Sequence, residues 1–123
     1  MDPVKPSIAV LVVEDDVLIR IDVAAIITDA GFKVYEAGTA DQAVVLLEQC
    51  ADILVLFTDV NMPGSMDGLE LAHYVRVNWP LKKIMVTSGQ RKIGTQELPH
   101  ESVVLSKPYR PAHIVQKLRE MAA

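Results

Sequence analysis

Ile8-Ala-Val-Leu-Val-Val13 runs directly into Glu14-Asp15-Asp16, and from Val17 onward the apolar period changes. Six consecutive apolar residues, mostly β-branched, suit a strand buried on both faces of a sheet. Three acids cannot continue such a strand. Beyond them Ile19, Val23, Ile26, Ile27 and Ala30 recur at helical spacing, with Arg20, Asp22 and Asp29 elsewhere on the wheel. Gly31 then stands where a helix C′ residue belongs. The segment reads as strand, acidic join, helix.

The same unit recurs downstream. Phe32–Ala37 reads as a short strand. Thr39 and Gln42 have capping-box spacing ahead of the apolar stripe Ala40, Ala43, Val44, Leu47. Ile53-Leu-Val-Leu-Phe57 is a second central-strand run and leads into Thr58-Asp59. After a Pro/Gly loop, Leu71, Ala72 and Val75 mark a third helix that should stop before Pro80. Ile84–Thr87 and Ser102–Leu105 are two further strands. Pro111 can open a last helix whose Ile114, Val115, Leu118 and Ala122 face inward. Gly94 and Pro99 interrupt the helix expected between the last two strands, which should be short or irregular. Five βα units in alternation predict an α/β fold, a (βα)5 doubly wound, five-stranded parallel sheet.

Composition agrees with a single globular domain. The chain has 123 residues, 50% hydrophobic and 23% charged, which is too apolar for a disordered chain. Residues 1–7 are polar and read as a flexible N-terminal tail, with the domain over 8–123. The net charge is -4, and no Lys/Arg run exceeds Lys82-Lys83 or Arg91-Lys92, which argues against nucleic acid as a partner. No apolar run approaches a membrane span, and Cys50 is alone. A cytoplasmic location is expected.

In such sheets ligands bind beyond the carboxyl ends of the strands. Glu14 and Asp15 follow the first strand, Asp59 the third and Lys107 the fifth, and Thr87 ends the fourth. Carboxylates packed together repel, and burial raises the cost of their charge. A hard divalent cation relieves this. Mg²⁺ suits best, because it is held by one or two carboxylates and leaves positions for phosphate oxygens. Lys107 adds a compact positive charge and Thr87 a hydroxyl donor, which completes the parts of a phosphoryl-transfer site. His73, His100 and His113 have no metal-ligand spacing.

Four motifs then carry a resemblance. Leu11-Val-Val-Glu14-Asp15-Asp16, Thr58-Asp59-Val-Asn61-Met-Pro63-Gly-Ser-Met-Asp67-Gly68, Val86-Thr87-Ser88-Gly89 and Ser106-Lys107-Pro108-Tyr109 resemble the receiver domain of bacterial two-component response regulators, over about Ile8 to Met121. The resemblance implies the flavodoxin-like strand order 2-1-3-4-5 and a phosphorylatable switch of the stand-alone type. Asp59 would be the phosphoacceptor. Glu14, Asp15, Asp59 and the backbone carbonyl of Asn61 would hold Mg²⁺, and Thr87 and Lys107 would bind the phosphoryl group. Pro108 would set its turn through a cis bond. The implied donor is a sensor histidine kinase or a histidine phosphotransfer protein, and the output a protein–protein contact, with a homodimer as one form. Such a protein catalyses only its own phosphorylation and dephosphorylation.

Two departures stand out: the loop after Asp59 is one residue longer than in many relatives, and Val104 occupies a position that is commonly aromatic in the family. Three other readings are weaker. A Mg²⁺-dependent phosphatase like the haloacid dehalogenases would need Asp-x-Asp after the first strand. A flavodoxin-like FMN binder would need a phosphate loop where the three acids stand. A phosphorylation-incompetent scaffold would not need the complete acid–Lys set.

Overall fold

The computed structural model describes residues 8–89 and 93–122. The expected tail at 1–7 and the Arg91-Lys92 pair lie outside them. Five parallel strands stand in the order β2-β1-β3-β4-β5: β1 Ala9–Val13, β2 Lys33–Ala37, β3 Ile53–Asp59, β4 Lys83–Ser88 and β5 Val103–Ser106. The helices are α1 Val17–Asp29, α2 Ala40–Gln49, α3 Gly68–Asn78 and α4 Pro111–Ala122. This is the doubly wound α/β sheet expected from the alternation of runs.

Each central strand is apolar on both faces because each face meets helices. Ala9, Leu11 and Val13 of β1, with Leu56, Ile84 and Val86, pack against Ala43 and Leu47 of α2 and Leu71, Ala72 and Val75 of α3. Val10 and Val12, with Val55, Phe57, Met85 and Leu105, pack against Val23 and Ile27 of α1 and Ile114 and Leu118 of α4. Fully burying one such aliphatic side chain contributes about 1.5–3 kcal/mol before chain entropy is counted.

Local chemistry sets the helix ends. Asp16 caps α1, its carboxylate accepting from the Leu18 and Ile19 amides at 3.0 and 3.2 Å. Gly31 at φ +98° closes that helix, where the Gly31 amide donates to Thr28 and the Phe32 amide to Ile27. Thr39 caps α2, but the Gln42 side chain reaches past it to the Gly38 amide at 2.8 Å. Asp67 and Glu70 form a full capping box on α3.

Between β4 and β5 the described residues hold only a 3₁₀ turn, Thr95–Glu97, in keeping with the interruptions at Gly94 and Pro99. Ile93 and Leu98 pack against the α2/α3 side of the core. His73 of α3 lies with Nε2 2.7 Å from the Glu97 carbonyl and ties the turn down. Some expected inward positions differ: in α4 only Ile114 and Leu118 are buried, while Val115 and Ala122 are half-buried. Ile19 is 38% exposed, because α1 is apolar nearly all round, with Val17, Leu18 and Ile21 also exposed, so its period does not single out the core face. Val23, Ala24 and Ile27 are the buried residues of α1.

Candidate functional site

The parallel register brings the carboxyl ends of β1, β3, β4 and β5 together at one edge of the sheet. Asp59, the last residue of β3, pairs in register with Thr87. The ladder continues past the strand ends through three backbone bonds: Glu14 N–H to Ala37 O at 3.0 Å, Val60 N–H to Thr87 O at 3.0 Å and Lys107 N–H to Ser88 O at 2.8 Å. These bonds fix the roots of the loops that carry the polar residues.

Glu14, Asp59, Thr87 and Ser88 are the polar residues buried here together with Thr58. The Lys107 ammonium binds Asp59 Oδ2 at 2.6 Å and stands 3.7 Å from Glu14 Oε1. The other Asp59 oxygen, Oδ1, accepts from the Asn61 amide at 3.0 Å. Both oxygens of Asp59 are thus engaged, one by charge and one by a backbone dipole. The Thr58 hydroxyl donates to the Asp59 carbonyl at 3.0 Å. Asp15 and the Asn61 side chain are exposed at the rim. The Lys107-Pro108 bond is cis, as the resemblance implied.

Electrostatics mark the cluster as under-compensated. Burial, the hydrogen-bonding Asp15 carboxyl and the Asp59 charge lift Glu14 to about 7, against the opposing pull of the Asp16 amide and Lys107. Burial alone would lower Lys107, but the Asp59 hydrogen bond and the charges of Asp59 and Glu14 outweigh it and hold the ammonium above its usual value. One cation therefore serves a buried carboxylate pair with a third acid beside it. The donors are all hard oxygens, the chemistry Mg²⁺ requires. Among the described residues no three His, Cys, Asp or Glu side chains form a ready-made cage. Mg²⁺ does not need one, since it retains several waters.

Glu14 makes the metal-free protein pH-sensitive. An acid whose folded pKa is raised binds more protons folded than unfolded between about 4.5 and 7. Its ionisation then costs stability, which is fully present at low pH and lost as pH rises through about 7. Glu14→Gln is expected to raise the unfolding free energy by about 1–2 kcal/mol at pH 8 and by only about a quarter of that at pH 5, after discounting for solvent screening. Thermal melts without divalent cation, at the two pH values, check this.

Two features of the site are not evident in the sequence motifs. A Cβ on Gly68 would overlap the Asp59 carbonyl oxygen, so α3 begins against the backbone of the acceptor itself. Tyr109 packs edge-on to Phe57 at 6.4 Å and lines an apolar groove with Ile19, Gly89, Lys107 and Pro108 that opens beside the cluster. Burial pushes its phenol up, with Lys107 opposing and Glu14 and Asp59 adding to the shift. Met62 and Met66 of the long loop pack on the α2/α3 side of the core.

The model for the response regulator receiver domain matches residues 10–119. The chain belongs to this family. The receiver is 33% identical over 121 residues to the transcriptional regulatory protein AruR of Pseudomonas aeruginosa, covering 91% of this chain and 48% of that protein. The chain thus spans about half the length of that relative. It is 30% identical to the response regulator receiver protein CpdR of Brucella abortus, over 91% of this chain and 94% of that one. A receiver protein from Sinorhizobium medicae has the same fold, with a TM-score of 0.87, 24% identity and 94% coverage of both chains. Receivers are in general signalling switches rather than enzymes acting on separate substrates, and phosphorylation and Mg²⁺ are general features of the family. No helix among the described residues is long and apolar enough to cross a membrane.

Proposed function

We propose that this receiver is a phosphorylatable switch that takes a phosphoryl group onto Asp59 from a histidine kinase or histidine phosphotransfer protein in the cytoplasm. The observation that carries this reading is the Lys107–Asp59–Glu14 cluster at the strand ends. Asp59 and Glu14 are both buried and both meet a backbone amide and the ammonium, but Asp59 holds them closer, with the Asn61 amide at 3.0 Å and Lys107 at 2.6 Å against 3.4 Å from the Asp16 amide and 3.7 Å from Lys107 at Glu14.

In the step itself an Asp59 oxygen attacks phosphorus, the O–P bond forms, and the P–N bond to the donor imidazole breaks. Lys107 is within reach to leave Asp59 Oδ2 and pair with a phosphoryl oxygen, neutralising charge that the product carries. Thr87, across the ladder from Asp59, donates its hydroxyl to the same group. Glu14, Asp15, Asp59 and the Asn61 carbonyl would hold Mg²⁺, which when bound supplies positive charge to the phosphoryl oxygens. The apolar groove beside Lys107 and the exposed Leu18 and Ile21 of α1 favour a donor that is a protein with an apolar face. Output through protein contact fits a two-state element biased by the new charge. With Val104 and Ser106 exposed on β5, no ring at position 104 is available to follow Thr87 inward.

Incubation with Mg²⁺ and acetyl phosphate, read by intact mass, tests the reading. Wild type is expected to gain one phosphoryl group and Asp59→Asn none. Equal uptake by both would move the acceptor elsewhere. No uptake by either, with no Mg²⁺ binding, would favour the incompetent scaffold instead.

A further inference from the structure

Arg20 lies in the first turn of α1 and reaches back over the β1–α1 join. Its Nη1 donates to the backbone carbonyl of Glu14 at 3.0 Å, and its Nε donates to Glu36 Oε1 at 3.3 Å. The side chain is only 20% exposed. Gly38, just beyond β2, makes the space: a Cβ there would stand 3.0 Å from Nη1, inside ordinary contact distance. Glu14 is therefore held at both backbone poles, its N–H on Ala37 and its carbonyl on Arg20.

We propose that Arg20 is a positioning residue whose guanidinium fixes the Glu14–Asp15 peptide, and with it the aim of both carboxylates on a divalent cation. The proposal rests on the reading of that acidic pair as a Mg²⁺ site. Charge is not what Arg20 contributes. Its guanidinium is already paired with Glu36, and a positive group beside a cation site can only oppose binding. Positioning and charge thus have opposite signs: removing Arg20 weakens Mg²⁺ binding if it positions, and tightens binding if it merely repels. Partners that orient ligand-bearing groups from behind commonly change metal affinity by about 10–100-fold when removed.

Mg²⁺ titrated calorimetrically into the unphosphorylated protein separates the two. Arg20→Met, which keeps the apolar stem, is expected to raise the Mg²⁺ Kd about tenfold. Gly38→Ala leaves the charge in place but displaces the guanidinium, and is expected to weaken binding in the same direction. Arg20→Lys cannot span both acceptors and should restore little. Melting temperatures without Mg²⁺ are read alongside. Variants that melt lower but bind Mg²⁺ as wild type does, or more tightly, overturn the proposal and leave Arg20 a structural residue. Wild type that takes up no Mg²⁺ overturns the metal-site reading itself, and the proposal with it.

Discussion

Gly68→Ala is expected to cost about 3 kcal/mol or more and to remove most phosphoryl uptake, although residue 68 carries no chemistry. The added Cβ would overlap the Asp59 carbonyl oxygen and lie 2.7 and 2.8 Å from the Asp59 carbonyl carbon and the Val60 Cα. Those atoms have little freedom to yield. The Gly68 amide donates to Val60 O at 2.9 Å, and the Val60 amide donates to Thr87 O at 3.0 Å. The strain must therefore distort the end of β3 or push out the start of α3, and cost of this size is typical when a core backbone contact is overfilled. Denaturant unfolding with and without acetyl phosphate treatment measures both effects. Gly64→Ala is the internal contrast. Gly64 has φ +118° with nothing within 4 Å of its Cβ position, so the change should cost about 1 kcal/mol of backbone strain and spare Asp59. Similar behaviour of the two variants would mean that the close approach at Gly68 is not what constrains the site.

Lys107→Ala has the second large effect. The ammonium bridges Asp59 Oδ2 and Glu14 Oε1, so its loss removes charge stabilisation from the transferred group and leaves two buried carboxylates facing each other. Loss of one preorganised charge donor costs roughly 100–1000-fold in rate, and that is the expected fall in phosphoryl uptake from acetyl phosphate. Stability at neutral pH should fall as well, and partly recover as the pH is lowered and Glu14 takes up a proton. Stopped time courses read by mass, together with melts at pH 5 and 8, resolve the two consequences. Uptake within about threefold of wild type would remove Lys107 from the phosphoryl-binding role.

Particular residues explain what was legible beforehand. The buried strands announce themselves because Ile8–Val13 and Ile53–Phe57 have no polar position to spare for solvent, the first ending abruptly in Glu14 and the second leading through Thr58 into Asp59. The weakness between β4 and β5 was readable from Gly94 and Pro99. The face of α1 was not, since a helix apolar at Val17, Leu18, Ile19 and Ile21 as well as Val23 and Ile27 has no periodicity that singles out one side. Glu14, Asp59, Thr87 and Lys107 were identifiable because each follows or ends a strand, and parallel topology carries strand ends to one edge. Gly68 and Arg20 were not identifiable by that logic. Gly68 stands inside a quoted motif, but a glycine by itself does not tell a turn from a close backbone approach, and the Arg20 contact with the Glu14 carbonyl leaves no mark in residue type or spacing.

The three backbone bonds that extend the ladder past β1, β3 and β5 have a consequence for how this surface can diversify. Because each loop is clamped at its first residue, and the loop after β3 again where the Gly68 amide donates to Val60 O, a change of length between those clamps is not passed to the acids and the lysine at the roots. An extra residue between Asn61 and Asp67 then changes what a partner meets without disturbing the chemistry beneath. Partner choice and phosphoryl chemistry can vary independently along the same few segments of chain.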